Sequence, residues 1–223
     1  MPRRHHRPAL LSSDVLESLQ GGAGDPALRA EAAHATARLL VEGVRDEQDA
    51  ELSARVVRLA DEYGLEPLAE LWADSPPDSL PGALWRLYAL RQWVHADPAA
   101  AAAQFAEGSR RAPVHHAVAG VADPPGPEEV RSLVDAVLSG VAHGDVATTL
   151  ERAAAFARVV AVGRADQAAD SPGATAVGTA GSEGSRLTMS AARLVRTAEQ
   201  LEVAARRLRE NDRRREASED SPG

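Results

Sequence analysis

Ser79-Leu-Pro-Gly-Ala-Leu-Trp-Arg-Leu-Tyr-Ala-Leu-Arg-Gln-Trp-Val-His95 holds three of the seven aromatic residues in a chain of 223: Trp85, Tyr88 and Trp93. Tyr63, Trp72 and Phe105 flank it. In a chain built mostly from Ala, Val and Leu, these rings set the shape of a core. Ser79 is a natural helix cap, and Pro81 stands in the first turn, where its missing N–H costs nothing. Ala83, Leu84, Trp85, Leu87, Tyr88, Ala89, Leu90, Trp93 and Val94 then point almost all the way round. A helix with no consistently wet face belongs among other helices. The stretch therefore predicts an all-α protein.

Helix signals continue on both sides of it. Residues 13–20 form a short helix stopped by Gly21-Gly22. Asp25-Pro26 starts one running to about Val44, with Leu28, Ala32, Ala35, Leu39 and Leu40 as its stripe. Asp49 to Tyr63 repeats the period through Leu52, Val56, Leu59 and Ala60. Glu66-Pro67 opens a short helix, and Ser75-Pro76-Pro77-Asp78 is a stiff connection into the central one. Beyond it, Asp97-Pro98 begins an alanine run through Phe105 to Gly108. A short helix is expected over 113–121, another after Pro124-Pro125-Gly126-Pro127 through Val141, and a last body helix over 146–163. The reading is a bundle of eight or nine helices over residues 9–163, after a disordered basic N-terminus at 1–8.

From Arg164 to Ser185 periodicity and large apolar groups disappear together, which predicts a disordered linker. The next segment, 186–216, carries the most regular pattern in the chain. Leu187, Leu194, Leu201 and Leu208 fall seven apart, with Ala191, Ala198 and Ala205 between them. This is a heptad seam with Leu at one core position and Ala at the other. Such a helix alone is marginal in water, so a partner surface is expected. Three surfaces fit: the chain's own body, a second copy, or another protein. Residues 217–223 read as a disordered tail.

Composition narrows the chemistry. No cysteine is present, which removes disulfides, thiolate zinc sites and cysteine nucleophiles and suits a reducing cytoplasm. All 25 strongly basic residues are Arg, so Schiff-base and P-loop lysines are absent. The bias toward Ala, Arg, Gly and Pro has the look of high-GC coding. No apolar run approaches the roughly 20 residues that cross a bilayer, and the N-terminus has no signal-peptide core behind its Arg and His. Residues 8–205 hold 16 Arg against 28 acidic groups, a net charge of −12. A body so acidic repels phosphate backbones.

Local constellations are weak. Glu31-x-x-His34 has di-iron ligand spacing but lacks a second copy. His115, His116, His143 and Asp145 would have to converge to hold zinc. Residues 59–71 have a helix-turn-helix outline, but Glu66, Glu70 and Asp74 occupy the groove-reading side, so DNA reading is rejected. Arg206, Arg207, Arg209 and Arg213 to Arg215 form a basic end largely offset by interleaved acids. No nucleophile elbow or phosphate loop appears. No catalytic residue, metal ligand or cofactor is assigned. Within the central helix, Arg86 and Arg91 need partners if buried, and Arg86, Tyr88, Arg91, Trp93 and His95 are the candidate pocket.

On Glu66-Pro-Leu-Ala-Glu-Leu-Trp-Ala-Asp-Ser-Pro76 and Leu80-Pro-Gly-Ala-Leu-Trp-Arg-Leu-Tyr88, the body resembles an uncharacterised all-helical family of high-GC actinobacteria. That resemblance carries no mechanism. The expectation is a non-enzymatic cytoplasmic protein that self-associates or docks through its tethered heptad helix. The alternatives are a helical-bundle enzyme or small-ligand binder using the central-helix pocket, and weak nucleic-acid binding through the Arg-rich ends.

Overall fold

The structure is a computed structural model that describes residues 25–42, 66–112, 127–128, 131–132, 146–170 and 183–219. Six helices run through them: α1 Pro26–Glu42, α2 Glu66–Trp72, α3 Leu80–Ala96, α4 Pro98–Ser109, α5 Val146–Asp170 and α6 Glu183–Glu219. No strand occurs among the described residues. The protein is all-α in what is described. The helices read from 13–20, 49–63, 113–121 and most of 127–141, which raised the count to eight or nine, lie outside the described residues. So do the N-terminal residues 1–8.

The chain divides between Pro76 and Pro77 into two compact units. In the first, α1 and α2 pack on each other. Asp25 caps α1, its carboxylate accepting from the Ala27 N–H at 2.9 Å. The face α1 buries is Ala32, Ala33, Thr36, Ala37 and Leu39. Leu28, read as part of the stripe, is instead 40% exposed. Thr36 takes its place in the core because its hydroxyl has a use there. It donates to the Ala32 carbonyl at 2.9 Å and accepts from Trp72 Nε1 at 3.1 Å, so the buried indole N–H is satisfied.

In the second unit, Ser79 caps α3 as its sequence indicates, accepting from the Gly82 N–H at 3.2 Å, with Pro81 in the first turn. Asp97 ends α3 and caps α4, accepting from Ala100 N–H at 2.9 Å, and Pro98 fixes the turn between them. The centre of this unit is α5 rather than α3. Its Ala153, Ala154, Ala157, Val159, Val160 and Ala161 are buried on all sides, and it touches α3, α4 and α6. It continues beyond Gly163 to Asp170, with Arg164 and Ala168 buried. Residues 164–170, read as the start of a disordered linker, are therefore helical. Small and polar residues such as Ala165, Asp166 and Gln167 look like a linker in sequence, but with Arg164 and Ala168 buried beside them the segment extends α5 by about two turns.

Between α4 and α5 the backbones come into direct contact. A Cβ at Gly108 would lie 1.9 Å from the Val159 carbonyl oxygen, and one at Gly163 would lie 1.9 Å from that of Gln104. Either glycine is the one residue that fits its place. Beside the crossing, Phe105 and Phe156 stack with centroids 5.3 Å apart and rings inclined by 19°.

Candidate interaction site

The heptad stripe of α6 is filled by the chain's own body. Ala191, Ala198, Leu201, Ala204 and Ala205 are buried, while Leu194 and Leu208 are half-buried. The helix lies in a groove whose walls are α5 and α3. Of the three surfaces the sequence left open, the structure occupies the intramolecular one. Arg158 meets Glu202 and Glu151 meets Arg209, the order reversing along the two helices, so α5 and α6 run antiparallel.

Two sides of α6 make the contact. The side read as a seam faces α5, and Ala204, Gln200 and Arg207 widen it toward α3. Arg86 Nε donates to Gln200 Oε1 at 2.6 Å, and Arg207 donates to the Asp78 carboxylate at 2.5 Å. A strict seven-residue repeat describes one neighbour, and among the described residues this helix packs on two. Adjacent Ala204 and Ala205 were the signal for the second. Leu187 lies on α6, with its side chain outside the described set.

Polar contacts fix the register. Arg158 grips Glu202 through two N–H groups, Nε to Oε1 at 2.7 Å and Nη2 to Oε2 at 2.9 Å. That hydrogen-bonded carboxylate raises the Arg158 pKa above its ordinary value. Arg209 donates to Glu151 at 2.8 Å and to the Thr148 hydroxyl at 3.1 Å. Two residues of the basic C-terminal end, Arg207 and Arg209, are thus bound to the body.

At the other end of the groove, one guanidinium joins α3, α4, α5 and α6. Arg164 on α5 is only 7% exposed. It lies 4.7 Å from the centroid of the Trp93 ring on α3 and donates through Nε and Nη2 to Gln104 Oε1 on α4, at 3.0 and 2.8 Å. Its Nη1 donates to the Ser190 hydroxyl on α6. Gln104 is oriented in turn by its amide, which donates to Gln167 Oε1 at 3.3 Å. Burial lowers the Arg164 pKa, and lowers that of half-buried Arg86 for the same reason. Sequence reading missed this cluster because it placed Arg164 in the linker and read Gln104 as part of an alanine run. A polar amide interrupting that run was the available clue.

The five residues read as a pocket do not share a face. Arg86 and Trp93 point toward the groove, where they meet Gln200 and Arg164. At about 100° per residue, Tyr88, Arg91 and His95 fall on the opposite side of α3. There the Tyr88 hydroxyl accepts from Gln92 Nε2 at 2.7 Å, and all three residues are half-buried. Glu31 and His34 are exposed on α1, and His34 Nδ1 donates to the Ala30 carbonyl at 2.8 Å. Glu66, Glu70 and Asp74 are exposed. His115, His116, His143 and Asp145 lie outside the described residues. Among the described residues no three His, Asp or Glu groups gather as metal ligands, and no helix is long and apolar enough to cross a membrane.

No known protein family, curated protein or solved structure matches this chain.

Proposed function

We propose that this is a non-enzymatic cytoplasmic interaction or regulatory protein in which α6 is an exchangeable element, seated on its own body at rest and able to pair with a second copy or another protein. The observation that carries the reading is the composition of the buried contact. Of the described seam side chains, Ala191, Ala198, Ala205 and Leu201 are buried, while Leu194 and Leu208 keep part of their surface in water. A buried Leu contributes about 1.5–3 kcal/mol and a single methyl-sized group about 0.8. An alanine-dominated contact is therefore modest for a helix of 37 residues. A tether holds such a helix near its groove at roughly millimolar effective concentration, so a modest contact suffices to keep it seated and permits it to leave.

Hydrogen exchange on the full chain tests this. The α6 amides between Ala191 and Leu208 are expected to exchange through an opening that leaves α5 protected. Light scattering across a concentration series reads self-association in the same sample. If α6 and α5 exchange together, only by global unfolding, and the mass stays monomeric throughout, α6 is a fixed structural helix and the reading fails.

A further inference from the structure

Among the described residues, Arg86, Arg158 and Arg164 each donate a hydrogen bond to α6, and α6 answers Arg158 with a carboxylate. Arg158 has Glu202. Arg86 has the Gln200 amide and the Gly82 carbonyl. Arg164 has the Ser190 hydroxyl and the Gln104 amide oxygen. Among the described residues every hydrogen-bond acceptor of Arg86 and Arg164 is neutral, although Arg164 is buried, Arg86 is half-buried and both lie against a Trp ring. Of the carboxylates near the groove, Asp166 pairs with Arg111, Glu151 with Arg209 and Glu202 with Arg158, and Glu199 also acts on Arg158. A cation taken out of water without a counter-charge is costly, and a hydrogen bond to an ionised acceptor is about twice as strong as one to a neutral acceptor. At two places, then, α6 offers the weaker of the available chemistries.

We propose that the α3–α5 groove is a docking surface for an acidic amphipathic helix of another protein, which carries carboxylates where α6 places Ser190 and Gln200, and that α6 occupies the groove as a weaker self-ligand. This rests on the exchangeable-helix reading above and names the partner's chemistry. Counting from the first carboxylate as position i, the partner has acids at i, i+10 and i+12, matching Ser190, Gln200 and Glu202. Small or Leu side chains stand at i+1, i+8, i+11 and i+15, matching Ala191, Ala198, Leu201 and Ala205. A second copy of this chain brings the same serine and glutamine and gains nothing over the resident helix. The groove therefore discriminates in favour of a different, more acidic protein.

The probes are two labelled peptides covering residues 186–214, one of native sequence and one with Ser190→Asp and Gln200→Glu, each titrated into the full chain. The acidic peptide is expected to bind about 100-fold more tightly, roughly tenfold for each neutral acceptor replaced by a carboxylate, and to shift Trp fluorescence through Trp93. The full chain carrying Gln200→Glu, which keeps the shape of the side chain, is expected to show α6 opening about tenfold less often by hydrogen exchange. Equal affinities for the two peptides, or α6 opening unchanged or increased by Gln200→Glu, would overturn the acidic-partner proposal while leaving the exchangeable helix in place. Binding of neither peptide, with α6 opening only by global unfolding, would remove both.

Discussion

At the scale of single residues, the structure turns on side chains whose type cannot be changed conservatively. Arg164 is one. Lysine at this position retains the charge but cannot donate from two adjacent nitrogens to Gln104 while lying over Trp93 and reaching Ser190. Arg164→Lys is expected to lower stability by about 1–3 kcal/mol, read from chemical denaturation, with a change in Trp emission in the folded state. Gly108 and Gly163 are two more. An added methyl meets a carbonyl oxygen rather than a movable side chain, so Gly108→Ala and Gly163→Ala are each expected to cost at least about 1–3 kcal/mol. The denaturation midpoint should fall with its slope unchanged. In the first unit, Thr36→Val keeps the shape and removes the acceptor of the Trp72 N–H. Leaving that buried donor unpaired is expected to cost about 1–3 kcal/mol in thermal or denaturant unfolding.

At the scale of helices, much was legible and the gaps have physical reasons. Caps were readable because they are local: Asp25, Ser79 and Asp97 each accept from an N–H two or three residues on, as their neighbouring prolines indicate. The α6 stripe was readable because a heptad repeats. Its partner was not, since a leucine and alanine edge fits the body, a copy or a stranger equally well. The end of α5 was misread because Arg164 to Asp170 contains no large apolar residue, and burial of alanine leaves little trace in a hydropathy pattern. The candidate pocket was not legible as a unit because membership in one helix says nothing about which face a neighbour covers. Uneven burial along α6 gives a direct test. Leu201→Ala is expected to cost about 2–5 kcal/mol and Leu194→Ala or Leu208→Ala distinctly less, whereas a symmetric seam would make the three alike. A double-mutant cycle on Arg158 and Glu202, which keep a quarter to a third of their side-chain surface in water, should return a coupling of about 0.5–1 kcal/mol that shrinks as salt is added.

For the whole molecule, the division at Pro76-Pro77 is the feature with the widest reach. Residues 77–223 hold α3 to α6 and the groove contacts found among the described residues, so this fragment is expected to unfold cooperatively alone with helical circular dichroism retained. Failure to do so would mean that residues 1–76 are needed to complete its core. Within the fragment, α4 and α5 touch through bare main chain at Gly108 and Gly163, and that junction has a mechanical meaning. Two rods joined where neither has any padding cannot slip past each other without steric collision, so the pair behaves as a single rigid beam. The exchange proposed for α6 would then take place against an α5 braced by α4, so that one wall of the groove keeps its shape when the helix leaves.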